Sequence, residues 1–243
     1  MAIRDFLLRI SSSERTRGTT SKFTVNYPNN GTLAKAVSIV VKHVSFPNVF
    51  YNINTTNNEF IFSMAGGSNE SKIVPEGQYT MSELIAYLNT ELNGIGILTQ
   101  NTTTSKLTIT ASGYPFDLQE SSMLKVLGFK PSSGNPSSHI AQNVPQLQGV
   151  QQVFIKSSVL SKGTNFIDAN KKQEQSIVIM IPNDVPWGSV KHYETTHDEL
   201  DVINFPSETS LQEVDVQLVD GNGNELNLQG QDMSMILKVY YLV

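Results

Sequence analysis

The charged side chains have the clearest chemical potential in this sequence, and they are unevenly distributed. The arginines all lie within the first seventeen residues: Arg4, Arg9, Arg15 and Arg17. By contrast, residues 192 to 237 contain ten carboxylates and no lysine or arginine. Because a guanidinium group can bind a carboxylate through two parallel hydrogen bonds, we hypothesise that these arginines bind carboxylates of a neighbouring copy, with Asp198, Glu199 and Asp201 as acidic partners. The alternative is that both regions simply face water.

Histidines beside carboxylates are the only candidates for a metal site. Of His43, His139, His192 and His197, only the last two lie close to acidic residues in the sequence. Their spacing differs from that of a zinc-binding His-Glu-x-x-His helix, and loop carboxylates beside a histidine are common. The pattern favours a pH-sensitive contact over a metal site, and we predict no metal and no cofactor.

The segment Asp220-Gly-Asn-Gly-Asn224 resembles the start of a calcium-binding loop. However, Glu225 occupies the position that requires glycine, and Gln231 the position that requires a bidentate glutamate. Glycine and asparagine also favour the left-handed conformations of tight turns. The sequence therefore predicts a turn joining two strands, at 214–219 and 233–242, into an antiparallel hairpin.

Motifs for catalysis are absent from the sequence. It has no phosphate-binding Gly-x-x-x-x-Gly-Lys-Ser/Thr, no Gly-x-Gly-x-x-Gly between strand and helix, no Gly-x-Ser-x-Gly and no cysteine. An aromatic ring lies among arginines at one place in the sequence, where Phe6 stands between Arg4 and Arg9. One such ring is too few for the stacking that single-stranded nucleic acids require, so we expect this segment to pack on a protein partner. We therefore expect a protein that is not an enzyme.

The composition and the patterns of apolar residues indicate a mainly β protein. Only 16% of the 243 residues are charged, and 39% are hydrophobic, which suits a β-sandwich with polar loops. The segment 176–181 is continuously apolar, so we expect it to be a central strand covered on both sides. Further strands are predicted at 22–27, 36–46, 59–64 and 152–157.

These elements predict a single jelly-roll sandwich with a small inserted α+β domain. Residues 1–21, mostly polar after residue 10, are predicted to be a flexible basic arm. The sandwich would comprise 22–74 and 139–243, and the insert 75–138. Within the insert, Thr80-Met-Ser-Glu83 has the pattern of a capping box before a helix at 81–92, and a second, short helix is predicted at 122–127.

Several of these segments resemble the penton (minor capsid) proteins of virophages and of polinton or maverick elements, which are distant relatives of the adenovirus penton base. The similar segments are Tyr79–Asn89, Leu107–Thr110, Leu124–Phe129 and the turn at 220–224 followed by Leu226–Gly230. The resemblance implies a jelly roll with an insert, assembled as a fivefold ring at capsid vertices, and no catalysis. The integrin-binding Arg-Gly-Asp of the adenovirus protein is absent here.

Together, the residues and the resemblance predict a structural protein of the capsid vertex. Its expected partners are copies of itself in a homopentamer, trimers of the major capsid protein and other minor capsid proteins, with no specific nucleic acid. The first ten residues do not form a secretory signal, and no apolar run approaches the roughly twenty residues that cross a bilayer. We therefore expect synthesis in the host cytoplasm or nucleus and location in the virion. The alternative is a carbohydrate-binding or host-attachment β-sandwich, and a hydrolase is the third possibility.

Overall fold

The computed structural model describes residues 2–28, 31–64, 67–163, 176–195 and 201–243. Short 3-10 helices occur at Ser12–Glu14, Gly31–Lys35 and Leu160–Gly163. The strands and α-helices of the described ranges are β1 (Ile3–Ser11), β2 (Arg17–Gly18), β3 (Lys22–Asn26), β4 (Ala36–Pro47), β5 (Glu59–Met64), β6 (Asn69–Ile73), α1 (Met81–Glu91), β7 (Gly96–Gln100), β8 (Leu107–Ala111), β9 (Phe116–Leu118), α2 (Ser122–Leu127), β10 (Ser138–Ile140), β11 (Gln152–Lys156), β12 (Ile177–Pro182), β13 (Val190–Glu194), β14 (Ile203–Thr209), β15 (Glu213–Val219) and β16 (Ser234–Leu242).

The chain forms two compact units with different architectures. Unit 1 comprises Met1–Phe50 and Val150–Val243, and unit 2 comprises Tyr51–Gly149. Unit 2 is thus wider than the insert expected at 75–138. The reason is that β5 belongs to unit 2, since its Phe60 and Phe62 are buried in the same apolar cluster as Leu84 of α1. Strand periodicity alone does not reveal which core a strand joins.

Unit 1 is a jelly-roll-like β-sandwich of two sheets. One sheet has the order β1-β16-β4-β13, with β14 paired to the first half of β4, and the other has the order β12-β11-β15-β3-β2. Alternate side chains from both sheets meet in one buried cluster, which includes Ile39 and Leu237 from the first sheet and Ile155 and Val216 from the second. The described part of the chain is mainly β, as the sequence predicts.

The amino-terminal segment is a strand over residues 3–11, which corrects the expectation of a flexible arm. All nine residues of β1 pair with β16, from Ile3 opposite Leu242 to Ser11 opposite Ser234. Leu8 is 7% exposed and Ile10 is fully buried. The alternation of these two residues with polar or exposed neighbours is the pattern of a half-buried strand, and it outweighs the polar run that follows.

The expected hairpin between residues 214–219 and 233–242 is not formed. Strand β15 pairs with β3 and β11, whereas β16 pairs with β1 and β4 in the opposite sheet. A local reversal does occur, because Asp220 Oδ1 accepts hydrogen bonds from the amides of Asn222 (2.8 Å) and Asn224 (2.9 Å). The segment 225–233 then connects the two sheets. Turn residues predict that the chain reverses. They do not predict which sheet the next strand joins.

Strand β12 is also placed differently from the sequence prediction. Within the described ranges it is the last strand of its sheet and pairs with β11 only, and Met180 is 41% exposed. A continuous apolar run indicates a strand with little polar surface. It does not distinguish a central strand from an apolar edge strand. Within the described ranges, β12 is an edge strand.

Unit 2 combines two helices with two three-stranded sheets, ordered β10-β8-β7 and β6-β5-β9. Helix α1 begins at the predicted capping box, in which the Thr80 hydroxyl accepts from the Glu83 amide and the Glu83 carboxylate accepts from the Thr80 amide (2.8 Å). Helix α2 ends at Gly128, whose φ of +80° is a left-handed conformation that favours glycine. Both predicted helices are therefore present.

We expect Thr80→Ala to destabilise unit 2 by about 1 kcal/mol, because the first turn of α1 loses its side-chain acceptor. The same substitution at Thr90, also in α1, provides the control, since the Thr90 hydroxyl only donates to the Ala86 carbonyl within the helix. Far-UV circular dichroism during urea unfolding measures the difference, because both α-helices of the described ranges lie in unit 2. Equal midpoints for the two variants would show that the cap contributes nothing.

We expect His139 to make the stability of unit 2 dependent on pH. Burial lowers the pKa of His139 below its ordinary value of 6.5. Its Nε2 donates to the Phe116 carbonyl (3.0 Å), and its ring lies 4.7 Å from the Phe116 ring. Because the unfolded chain binds the proton more readily, the contribution is complete above pH 6.5 and is lost as the pH falls through the folded pKa.

The expected result is a loss of stability as the pH falls below 6.5 that is smaller in His139→Gln, which keeps a donor for the Phe116 carbonyl but does not titrate. Urea midpoints measured by circular dichroism above and below pH 6.5 provide the comparison. Identical pH dependence in the two proteins would exclude His139 as the titrating group.

Candidate interaction surface

One side of β1 presents apolar side chains to solvent. The side chains that alternate with buried Leu8 and Ile10 form what we call the β1 face, defined by Ile3, Asp5, Leu7 and Arg9. Ile3 is 65% and Leu7 is 67% exposed. Charged groups lie among them: Asp5 Oδ2 is 3.7 Å from Lys238 Nζ of the neighbouring strand. Exposed aliphatic side chains of this kind can supply apolar contacts to another protein.

Arg9 joins the β1 face to the first 3-10 helix. Its Nη1 donates to Glu14 Oε1 (2.7 Å), and both side chains are about half exposed. The hydroxyl of Tyr27 donates to the Arg9 backbone carbonyl (2.5 Å). Burial, reinforced by the negative charge of Glu14, raises the pKa of Tyr27 to about 12. Tyr27 is therefore a neutral donor at physiological pH, and it fixes the end of β1.

Arg15 contacts the acidic segment of its own chain. Its Nη1 donates to the Ser12 carbonyl (2.7 Å) and lies 3.7 Å from Asp232 Oδ1. The buried Ser12 hydroxyl donates to the same carboxylate oxygen (2.7 Å) and accepts from the Met233 amide (3.0 Å). The polar residues after β1 are thus held against the segment that leads into β16.

Arg17 makes a similar contact on the other sheet. Its Nη2 donates to Glu213 of β15, and its Nε donates to the Thr24 hydroxyl (3.2 Å). Both charged side chains remain more than half exposed. Arg4 lies on β1 opposite Tyr241 and is exposed.

The structure therefore brings arginines together with carboxylates, but within one chain. Arg15 and Arg17 pair with Asp232 and Glu213, which both belong to the acidic segment 192–237, and Arg9 pairs with Glu14. Exposed ion pairs contribute only about 0–1 kcal/mol, because water competes for both partners. A carboxylate of a partner can therefore replace these contacts at low cost, and the sequence hypothesis of intermolecular pairing stays a prediction.

The acidic residues of the hypothesis are only partly described by the structure. Asp198 and Glu199, like His197, lie outside the described residues. Asp201 accepts a hydrogen bond from the Thr195 hydroxyl. It lines a surface pocket of about 350 Å³ with Val178 of β12 and Tyr193 of β13.

The other histidine of the sequence hypothesis has a neighbour that the sequence did not suggest. His192 of β13 stacks on His43 of β4, with ring centroids 5.8 Å apart. Glu194 lies opposite His43 in the same strand pair. No group of three or more histidine, aspartate or glutamate side chains suited to a metal ion occurs among the described residues.

Sequence reasoning missed Ile3 and Leu7, the most exposed apolar residues of β1. The alternation of residues 3–10 carries the signal, but the polar run after residue 10 predicts an arm, and an arm has no defined outer side. None of the helices in the described ranges is long and apolar enough to cross a membrane.

Comparisons with known proteins identify the fold. No family model matches the sequence, and no curated protein matches it. Among solved structures, the chain is similar to the selenomethionine-labelled crystal structure of the mavirus penton protein, with a TM-score of 0.51 and 9% sequence identity. The alignment covers 98% of this chain and 100% of that chain. The chain therefore has a penton-like fold.

Proposed function

We propose that this chain is a structural protein of a viral capsid vertex, which assembles as a homopentameric ring and binds neighbouring major capsid proteins. The observation that carries the proposal is the likeness to the mavirus penton protein, because it includes both units and leaves no part of that protein unmatched. A fold alone does not define a function. The proposal therefore also rests on the surface of unit 1.

A ring of identical copies requires two different complementary surfaces on each copy. We propose that one surface is the β1 face, which includes Arg9, together with the exposed guanidinium groups of Arg4, Arg15 and Arg17. The second would be the acidic side that includes Asp201 and, in the sequence, Asp198 and Glu199. Opposite charges would set the orientation of the copies, while Ile3 and Leu7 would supply the apolar contact. The same charges would make assembly weaker at high salt.

Native mass spectrometry of the purified chain tests the proposal. The expected species contains five copies of the 26.8 kDa chain and loses copies as the salt concentration is raised. A chain that stays monomeric at high concentration and low salt, both alone and with major capsid protein, would refute the vertex function.

Replacing Leu7 by glutamate should weaken association at least about tenfold while leaving unit 1 folded. The side chain is exposed in the monomer, so a charge there costs little until a partner removes it from water. Tyr114→Glu is the control, because Tyr114 is 78% exposed and lies in unit 2. Analytical ultracentrifugation gives both association constants. Equal effects of the two substitutions, or none, would exclude the β1 face as a contact surface.

A further inference from the structure

Strand β1 has a row of backbone groups that point away from its sheet. It forms one edge of the sheet β1-β16-β4-β13. Ala2 and Ser12, at the two ends of this strand, form backbone hydrogen bonds with the residues that flank β16. Because alternate residues of an antiparallel strand bind its neighbour, the amides and carbonyls of Ile3, Asp5 and Leu7 point outward. These groups make no hydrogen bond among the described residues.

Strand β13 has the same kind of open edge on the opposite side of this sheet. The amide of Thr195, directly after the strand, donates to the Lys42 carbonyl of β4 (3.1 Å). By the same alternation, Val190, His192 and Glu194 direct their backbone groups away from β4. These groups also have no hydrogen-bond partner within the ranges that the structure describes. One sheet of unit 1 thus has an open edge at each end.

The β1 edge lacks the proline and the bulge that protect many sheet edges. It pairs with β16 over nine residues without a register shift, and two of its outward residues, Ile3 and Leu7, have exposed aliphatic side chains. The edges of the other sheet differ: β2 has only two residues, and β12 ends in Pro182 and pairs with β11 through a shifted register. A long, regular and partly apolar edge favours pairing with a further strand.

The directions of the strands decide which edge of another copy β1 can use. Neighbouring strands along β1-β16-β4-β13 are antiparallel throughout, so β1 and β13 run in opposite directions. When two copies lie side by side in the same orientation, β1 of one copy therefore meets β13 of the next as an antiparallel pair. Repetition of this contact gives a head-to-tail series, which is the kind that closes into a ring. Pairing of β1 with β1 would require a two-fold axis and would end at two copies.

The side chains favour one register for this pair of strands. The opposed residues would be Ile3 with Glu194, Asp5 with His192 and Leu7 with Val190. Leu7 and Val190, which are 67% and 48% exposed, would cover each other, and the His192 imidazole can donate to the Asp5 carboxylate. A shift by two residues in one direction would place Asp5 opposite Glu194, and like charges in that position are destabilising. A shift in the other direction would place Leu7 beyond the end of β13.

We propose that β1 of one copy pairs with β13 of the next copy, so that the sheets of neighbouring copies join edge to edge. This inference rests on the proposed ring and names the segment that the β1 face binds. The charges agree with it: β1 carries Arg4 and Arg9 against the single carboxylate of Asp5, whereas β13 ends at Glu194 and leads towards Asp201 on the acidic side. Backbone hydrogen bonds would supply affinity, and the opposed side chains would supply specificity.

Disulfide cross-linking of the assembled chain tests the register. The chain has no cysteine, so Leu7→Cys combined with Val190→Cys introduces the only two thiols. Within one copy, β16 and β4 separate these positions by about 14 Å, whereas opposed residues of an antiparallel pair have Cα atoms about 5.5 Å apart, within reach of a disulfide. Oxidation should therefore link separate copies into a series of covalent oligomers on a non-reducing gel. Ile3→Cys with Val190→Cys is the control, because these positions would be displaced by about 13 Å along the strands, and it should not link copies.

Replacing Asp5 by proline tests the backbone hydrogen bonds. The Asp5 amide points away from β16, so proline removes a donor that the single chain does not use. Association should be about tenfold weaker than for Asp5→Ala, which loses the same carboxylate but keeps the amide. Analytical ultracentrifugation gives both association constants. Trp187 fluorescence during urea unfolding of the dilute proteins should show similar midpoints for the two variants.

The outcomes separate this contact from the ring itself. A ring that forms without a cross-link between positions 7 and 190, and with equal association of Asp5→Pro and Asp5→Ala, would overturn the β1–β13 contact and leave the vertex function standing. Cross-linked dimers of a chain that carries only Asp5→Cys would show that β1 pairs with itself, which also overturns the contact. A chain that stays monomeric would refute the proposed function and this contact with it.

Discussion

Replacing Ile10 by alanine should lower the free energy of unfolding of unit 1 by about 2–5 kcal/mol. The side chain is fully buried in the cluster that both sheets of the sandwich share. Truncation removes apolar contacts and leaves a cavity in the shared core, which close-packed neighbours fill only in part. Trp187 is the only tryptophan and lies in unit 1, so its fluorescence during urea unfolding reports this unit.

Leu7→Ala is the matched control for Ile10→Ala. It removes an aliphatic side chain from the same strand, but from the exposed side, and the expected change in stability is within about 0.5 kcal/mol. Similar destabilisation by both substitutions would contradict the register of β1 on β16. Small effects of both would indicate that the amino-terminal segment is an arm in solution and not a strand.

The Gly128→Ala substitution should destabilise unit 2 by about 3 kcal/mol or more. Two effects add: an alanine in the left-handed conformation costs about 1 kcal/mol, and the new Cβ would lie 2.3 Å from the Asn143 carbonyl oxygen. Because that oxygen belongs to the backbone, relief requires the chain at Asn143 to move away from α2. Thermal and urea unfolding followed by circular dichroism measure the loss.

Gly94→Ala separates the two effects. Gly94 has the same φ of +80°, but no atom lies within 4 Å of the position of its added Cβ. We expect a loss of about 1 kcal/mol there. If Gly94→Ala and Gly128→Ala were equally destabilising, the close packing of Gly128 against residue 143 would be wrong.

The local elements were predictable from sequence because their signals are local. The Thr80–Glu83 capping box, the apolar spacing of α1 and the glycine after α2 each act within one or two helical turns. The strands at 36–46 and 152–157 follow from short-range alternation and β propensity. These features also indicate the fold class, since short strands with turn residues between them favour a sandwich.

The arrangement of the strands was less predictable because it depends on contacts distant in sequence. The alternation of apolar residues in β15 and in β16 shows that each strand has one buried side. It does not show which of the two sheets each strand joins. The turn at 220–224 and the apolar run of β12 are compatible with several topologies for the same reason. The polar run at 11–21 is typical of a flexible segment. In the structure, however, Ser12 is buried and forms hydrogen bonds with Asp232 and Met233, which lie more than 200 positions later in the sequence.

The charged residues of the proposed contact surface could be predicted from the sequence. Its exposed apolar residues could not. The clustering of arginines is visible in the sequence, but their pairing with Asp232 and Glu213 follows from the tertiary structure. The exposure of Ile3 and Leu7 follows only once β1 is known to be a strand with one side in the core. The hypothesis based on charge alone therefore includes Arg15 and Arg17, which already contact carboxylates of their own chain. A partner would have to replace those contacts.

Cryo-electron microscopy of capsids assembled from this chain and a major capsid protein would locate the chain directly. For a vertex protein we expect density for five copies at each fivefold vertex, with the β1 face buried between neighbouring subunits and unit 1 forming the ring. Particles that close with the chain absent from the vertices, or bound at scattered positions without fivefold order, would contradict it.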